Sequence, residues 1–228
     1  MVEHSFQELR SMRYVHTTTL AVATLDELRR AHPQVSMPAE GADLSDLGYQ
    51  PLLETPATVP PTGFKTVQIA PVFSGGAWRT AWAVVPLTAA DFAERTATAW
   101  AAIKAERDRR AAMGVKVGAH WFHSDEKSRI QQLGLVLLGQ AVPAGLQWKT
   151  LTFGPSPVFV PMTPALAVGI VQSTAASDTA IFTAAEIHRM TMQASPDPGA
   201  YDFTAGWPAS IEDEAHDAGF QFDSANAA

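Results

Sequence analysis

Apolar and polar residues alternate through two neighbouring stretches, "FKTVQIAPVF" and "AWRTAWAVVPL", with "SGG" (Ser74 to Gly76) between them. Period-two alternation of β-branched and aromatic residues around a glycine turn predicts a β-hairpin. Val67 and Ile69 on one strand, and Trp78, Thr80 and Trp82 on the other, are expected to form one buried face each. The period then lengthens. In "LTAADFAERTATAWAAIKAERDRRAAMG", Phe92, Thr96, Ala99, Trp100 and Ile103 recur at helical spacing. Thr88 is the expected cap, Asp91 the first-turn acid and Gly114 the stop.

The rest of the chain repeats this exchange of short hairpins and helices. "VKV", a turn at Gly118 and "AHWFH" predict a second hairpin, after which Ser124 is expected to cap a helix through "DEKSRIQQLGLVLLGQ". Leu133, Leu135, Val136, Leu137 and Leu138 cover all sides of that helix end, which predicts burial all round. A third hairpin, "LQWKTLTF" and "VFVPM" around a Gly154 to Pro157 turn, leads to Thr163 and Pro164, a cap and a first-turn proline. In the long helix that follows, Leu166, Ile170, Thr174, Ile181, Ala185 and His188 share a face, so His188 reads as a core histidine. Near the N-terminus, "TLDELRRAHPQVSMP" predicts a short helix capped by Thr24 and closed by Pro33. Pro51, Pro56, Pro60 and Pro61 then predict an extended linker.

These elements predict an α+β fold in which short antiparallel hairpins alternate with three main helices, beside a small N-terminal module. The expected divisions are 1–62 for that module and its linker, 63–88 for the first hairpin, 89–208 for the helix-hairpin-helix domain, and 209–228 for an acidic extension.

Composition narrows the classes. At 46% hydrophobic and 17% charged, the 228 residues fit an ordinary globular chain. The longest apolar run considered, "LGLVLLGQAV", is shorter than the ~20 residues a membrane span needs, so no membrane partner is expected. The N-terminus, "MVEHSFQELRSMRY", has acids where an export signal would be apolar. Cysteine is absent, which removes disulfides and thiolate chemistry and fits a reducing cytoplasm. The net charge of −7 is unevenly placed. Beyond Arg189 there is no Lys or Arg, against Asp197, Asp202, Glu212, Asp213, Glu214, Asp217 and Asp223. Between Arg95 and Arg129, eight basic residues face four acidic ones. That excess is small for nucleic acid, which is not an expected partner, and points instead to an acidic protein surface or a solvated helix face. The acidic end is expected to be loosely ordered unless a partner holds it.

Catalytic signatures are missing. There is no Gly-rich phosphate loop, no Gly-x-Ser-x-Gly elbow and no His-Glu-x-x-His, so no catalytic, cofactor-binding or metal residues are assigned. His120 and His123, with Asp125, are the residues an enzyme would use. Three apart on a strand, the two histidines point to opposite faces and cannot share a metal. Arg107, Arg109, Arg110 and Lys116 are the residues a nucleic-acid binder would use.

The ordered motifs "IKAERDRRAAMGVKV", "AHWFHSDEKSRIQQLG", "QWKTLTF", "VFVPMTPALAVGI" and "GWP", from Ala89 to Pro208, resemble a phage-tail domain of unknown function encoded beside tail-fibre genes. The resemblance implies a protein that binds other tail components, fibre or baseplate, and it transfers no catalytic residues. A non-enzymatic virion tail protein, made in the host cytoplasm, is the leading expectation; a fibre-assembly factor absent from the particle is the alternative. Tail symmetry implies several copies per particle or a homo-oligomer. Trp78 and Trp82 on the first hairpin, and Arg107, Arg109 and Arg110 on the helix, are the expected partner contacts.

Overall fold

The computed structural model describes residues 12–37, 43–153 and 156–220. The fold is α+β, and the chain forms two compact units, residues 1–88 and 89–228.

In the first unit, β1 (Arg13–His16), β2 (Val22–Thr24), α1 (Leu25–Ala31), β3 (Tyr49–Leu53), β4 (Phe64–Ser74) and β5 (Ala77–Pro86) follow one another. The strands make a single five-stranded sheet in the order β2-β1-β3-β5-β4. Every pair is antiparallel except β3 with β5. That parallel pair overturns the expected division at 62/63, because the hairpin extends the sheet the N-terminal residues begin. Pro51, expected in a linker, sits inside β3 opposite Tyr14. α1 starts at a capping box in which Thr24 accepts from the Glu27 amide and the Glu27 carboxylate accepts from the Thr24 amide. Tyr14, Leu28 and Leu44 are its buried core. The β4–β5 turn falls on Gly75 and Gly76, with φ of 60° and 78°, the positive pair a two-residue hairpin turn requires. The register slips between Ile69 and Val72, a bulge beside Pro71. Of the residues expected to be buried, Thr80 is; Val67, Trp78 and Trp82 are half-buried and Ile69 is exposed.

The second unit carries α2 (Ala89–Ala112), β6 (Val115–Val117), β7 (His120–Phe122), α3 (Glu126–Leu138), β8 (Gln147–Lys149), β9 (Phe159–Pro161), α4 (Pro164–Ala194) and α5 (Ile211–Asp217). β6–β7 and β8–β9 are separate antiparallel hairpins. Residues 154–155, within the expected Gly154 to Pro157 turn, lie outside the described residues. α4 packs on α2 and α3. It begins as its sequence predicts, with Thr163 accepting from the Leu166 amide and Pro164 in the first turn. Its inner face, Ile170, Thr174, Ile181, Ala185 and His188, is buried. Val115, Phe122, Leu135, Met162, Ala167 and Ile170 form one core and Ile103, Ala185 and Met192 another. Complete burial of side chains such as Phe122 or Ile170 is worth about 1.5–3 kcal/mol each.

Three expectations fail here. α3 is capped by Asp125, whose side chain accepts from the Ser128 amide, and Ser124 is occupied elsewhere. Only Leu135 of the five apolar residues at the end of α3 is buried; Leu133, Leu137 and Leu138 face outward. The longest candidate span is also not "LGLVLLGQAV". α4 is long and apolar enough to cross a membrane by length and composition, with 22% of its most apolar window buried within the chain.

Candidate interaction surface

The basic end of α2 finds its counter-charges inside the chain. Arg109 reaches Glu106 at 2.7 Å and Glu212 of α5 at 2.7 Å. Arg110 reaches Glu106 at 2.6 Å, donates to the Pro208 carbonyl at 3.3 Å and lies over the Trp207 ring. Arg107 pairs with Asp108 and lies 4.6 Å from the centroid of Phe182. Lys116 contacts Glu214 at 2.5 Å, and the Trp121 indole N–H donates to the same carboxylate at 3.0 Å. These bonds hold the Glu214 carboxyl below its ordinary value, Lys116 first and Trp121 second. Glu106 and then Glu212 push Arg109 upward, against burial. The acidic surface that the basic stretch anticipated is therefore the chain's own C-terminal helix. The expectation of a loosely ordered extension is corrected over residues 209–220, because α5 is capped by Ser210 and buries Ile211 against Trp121 and Leu151; residues 221–228 lie outside the described residues. Arg107, Arg109 and Arg110 are held by contacts within their own unit.

Trp207 lies between Arg110 and His188, whose ring centroid is 4.8 Å from its own. His188 Nδ1 is 2.9 Å from the Tyr201 hydroxyl. Nε2 is buried near the Ala205 carbonyl without a well-formed hydrogen bond. Burial holds the imidazole below its ordinary pKa.

The stretch "HSDEKSR" forms a polar junction between helices. Ser124 Oγ accepts from the Gly114 amide at 2.8 Å and donates to the Ala111 carbonyl at 2.7 Å. Arg129 donates to the same carbonyl at 2.7 Å, to the Ser124 carbonyl, and to both oxygens of Asp178 at 2.6 and 2.9 Å. One guanidinium thus joins the last turn of α2, the start of α3 and the middle of α4, and satisfies a helix-end carbonyl. His120 is exposed on β7, whereas His123 lies just past its end and half-buried. Burial and then Lys149 hold His123 below its ordinary pKa. Among the described residues no three His, Asp or Glu side chains converge as metal ligands.

On the first hairpin, the Trp82 indole donates to the Thr55 carbonyl at 2.8 Å, and the Thr55 amide donates to Thr80 Oγ1 at 2.7 Å. The proline-rich segment therefore lies on the hairpin. Trp78 packs edge-on to Phe73, with centroids 5.6 Å apart. The hairpin's outward large apolar residues are Phe64, Ile69, Val72, Phe73 and Val84.

The residues that sequence reasoning missed are on α3. Ile130, Leu133, Leu137 and Leu138 are 64%, 49%, 88% and 51% exposed, and Phe182 of α4, near Ile130 and Leu133, is 48% exposed. Ile130, Leu133 and Phe182 line an open groove of about 520 Å³ that Arg129 and Asp178 also border. Between residues 130 and 148 the sequence has no Asp, Glu, Lys or Arg, the one signal that could have marked this face.

Residues 93–205 of this chain match the family model of a domain of unknown function, DUF4376. No curated protein and no solved structure matches the chain.

Proposed function

We propose that this chain is a non-enzymatic bacteriophage tail protein that docks on fibre or baseplate components and remains in the particle. The observation that carries the binding role is the division of labour in the C-terminal unit. Charged groups such as Arg109, Arg110, Lys116 and Arg129 are engaged with one another's counter-ions and with backbone carbonyls. Large apolar side chains on α3 face outward, and so, in the first unit, do those of the first hairpin. Exposed apolar patches of this kind mark association surfaces. The tail assignment is supported by the resemblance over Ala89 to Pro208, within which the matched segment, 93–205, falls.

The test is mass spectrometry of purified, tail-intact particles of the phage whose genome carries this chain. Stoichiometric recovery is expected. Its absence from particles, with co-purification of the fibre from lysates, would make it an assembly factor; absence from both would sink the tail reading.

A further inference from the structure

Helix α5 sits on the second unit with the chemistry of a bound ligand. Its bed is built from Arg109 and Arg110 at the end of α2, Lys116 and Trp121 on the β6–β7 hairpin, and Leu151 with Phe153 beyond β8. Ile211 is seated on Trp121 and Leu151 and is fully buried. The acids after it meet the cations in turn: Glu212 on Arg109 at 2.7 Å, Asp213 on Arg110 at 3.7 Å and Glu214 on Lys116 at 2.5 Å. One aliphatic anchor followed by a run of acids is what the bed fits.

The bed keeps its form without α5. Glu106 holds both arginines from within α2, at 2.7 and 2.6 Å, and Arg110 also donates to the Pro208 carbonyl ahead of α5. Lys116 and Trp121 are register partners across the β6–β7 ladder, with the ammonium over the indole ring. The reverse dependence is strong. Seven residues are too few for a helix to stand alone in water, where about 12–15 are marginal. Within α5 the one large side chain fully buried is Ile211. Its ion pairs lie in solvent: the side chains of Arg109, Lys116, Glu212, Asp213 and Glu214 are between 31% and 52% exposed. Salt screens such pairs, and each contributes little. A short segment with one anchor, on a site formed without it, belongs to the low-stability end of a fold.

We infer that α5 is a releasable cover over a docking site for an acidic amphipathic segment of a partner protein, one that presents an aliphatic side chain ahead of a run of Asp or Glu. The partner displaces α5 and takes over its contacts. The cations alone would suit a nucleic acid as well. The pocket that encloses Ile211 completely favours a peptide, because a phosphate backbone has nothing to place there. The inference rests neither on the tail assignment nor on the outward apolar face of α3, and each can fail without the others.

The probe is a fluorescein-labelled synthetic peptide, ASIEDEAHDAGF, copying residues 209–220, added to the full chain and followed by anisotropy. Glu212→Gln combined with Glu214→Gln in the full chain loosens the cover and leaves the bed unaltered, so it should bind the peptide about tenfold more tightly than the wild type. Adding Lys116→Glu should remove that gain. A peptide with amides in place of its acids, and one with serine in place of its isoleucine, should each bind about tenfold more weakly. Hydrogen exchange of the unaltered chain gives a reading that requires no variant to fold. The α5 amides should exchange about a hundredfold faster than those at the centre of α4, and faster still between about 0.05 and 0.5 M NaCl. Exchange of α5 no faster than the centre of α4 overturns the inference, since the cover would not open. So does a glutamine variant with no gain in affinity, or an amide peptide that binds as well as the acidic one. Displacement of the peptide by oligothymidylate at equal concentration would make the bed a polyanion site and overturn it too.

Discussion

Removing the Arg129 guanidinium would strand the Asp178 carboxylate and leave the Ala111 and Ser124 carbonyls with fewer donors. Arg129→Ala is therefore expected to lower unfolding stability by about 2–4 kcal/mol in urea titrations. Arg129→Lys should recover little, because one ammonium cannot copy the planar fork that spans three elements. Gly114 is a second such position. Its φ is +115°, and a Cβ there would lie 2.7 Å from Leu151 Cδ2 and 3.0 Å from the Phe122 carbonyl oxygen. Gly114→Ala should cost about 1–3 kcal/mol, read as a fall in the urea midpoint. Gly114 was legible as a helix stop, since glycine after an Arg-rich helix end has that local meaning. The role of Ser124 was not. Local spacing made it the cap of α3, but a tertiary demand, the Gly114 amide and the Ala111 carbonyl, claims its hydroxyl and leaves the cap to Asp125.

Elements whose signals are local were readable. The first hairpin has alternation and two glycines, and α4 has Thr163, Pro164 and a 3.6-residue apolar face. The end of α3 was misread because five apolar residues on all sides satisfy burial in a core and display to a partner equally well; only packing distinguishes them. The acidic C-terminal helix was misread for a related reason. Composition describes how a segment behaves alone, and α5 is ordered by distant groups, with Ile211 fully buried against Trp121 and Leu151. Ile211→Ala should cost about 2–4 kcal/mol. It should also speed tryptic cleavage after Arg109 and Arg110, whose side chains α5 and the Pro208 carbonyl hold. The opposed charge blocks were the sequence's one pointer to this pairing, and they left open whether the acid was the chain's own.

Across the whole molecule, acidification acts on the same C-terminal closure. His188 is held neutral by burial, so the unfolded chain binds the proton more readily than the folded one. Its contribution is complete above the ordinary histidine value of about 6.5 and is lost as pH falls below that through its depressed folded value. His123, also lowered by burial and then by Lys149, adds in the same sense. Glu214 follows at lower pH: lowered by Lys116 and Trp121, it contributes above the ordinary carboxylate range and loses this as pH falls through its folded value. The urea midpoint should therefore fall between pH 7.5 and 5.5 and again towards pH 4, with His188→Gln flattening part of the first fall. The docking of α5 also has a consequence for the order of synthesis. Trp121 and Leu151 leave the ribosome well before Ile211, so the growing chain carries an uncovered apolar site until its own later residues arrive to close it. A released chain truncated before residue 211 would be a better chaperone client than the released full chain.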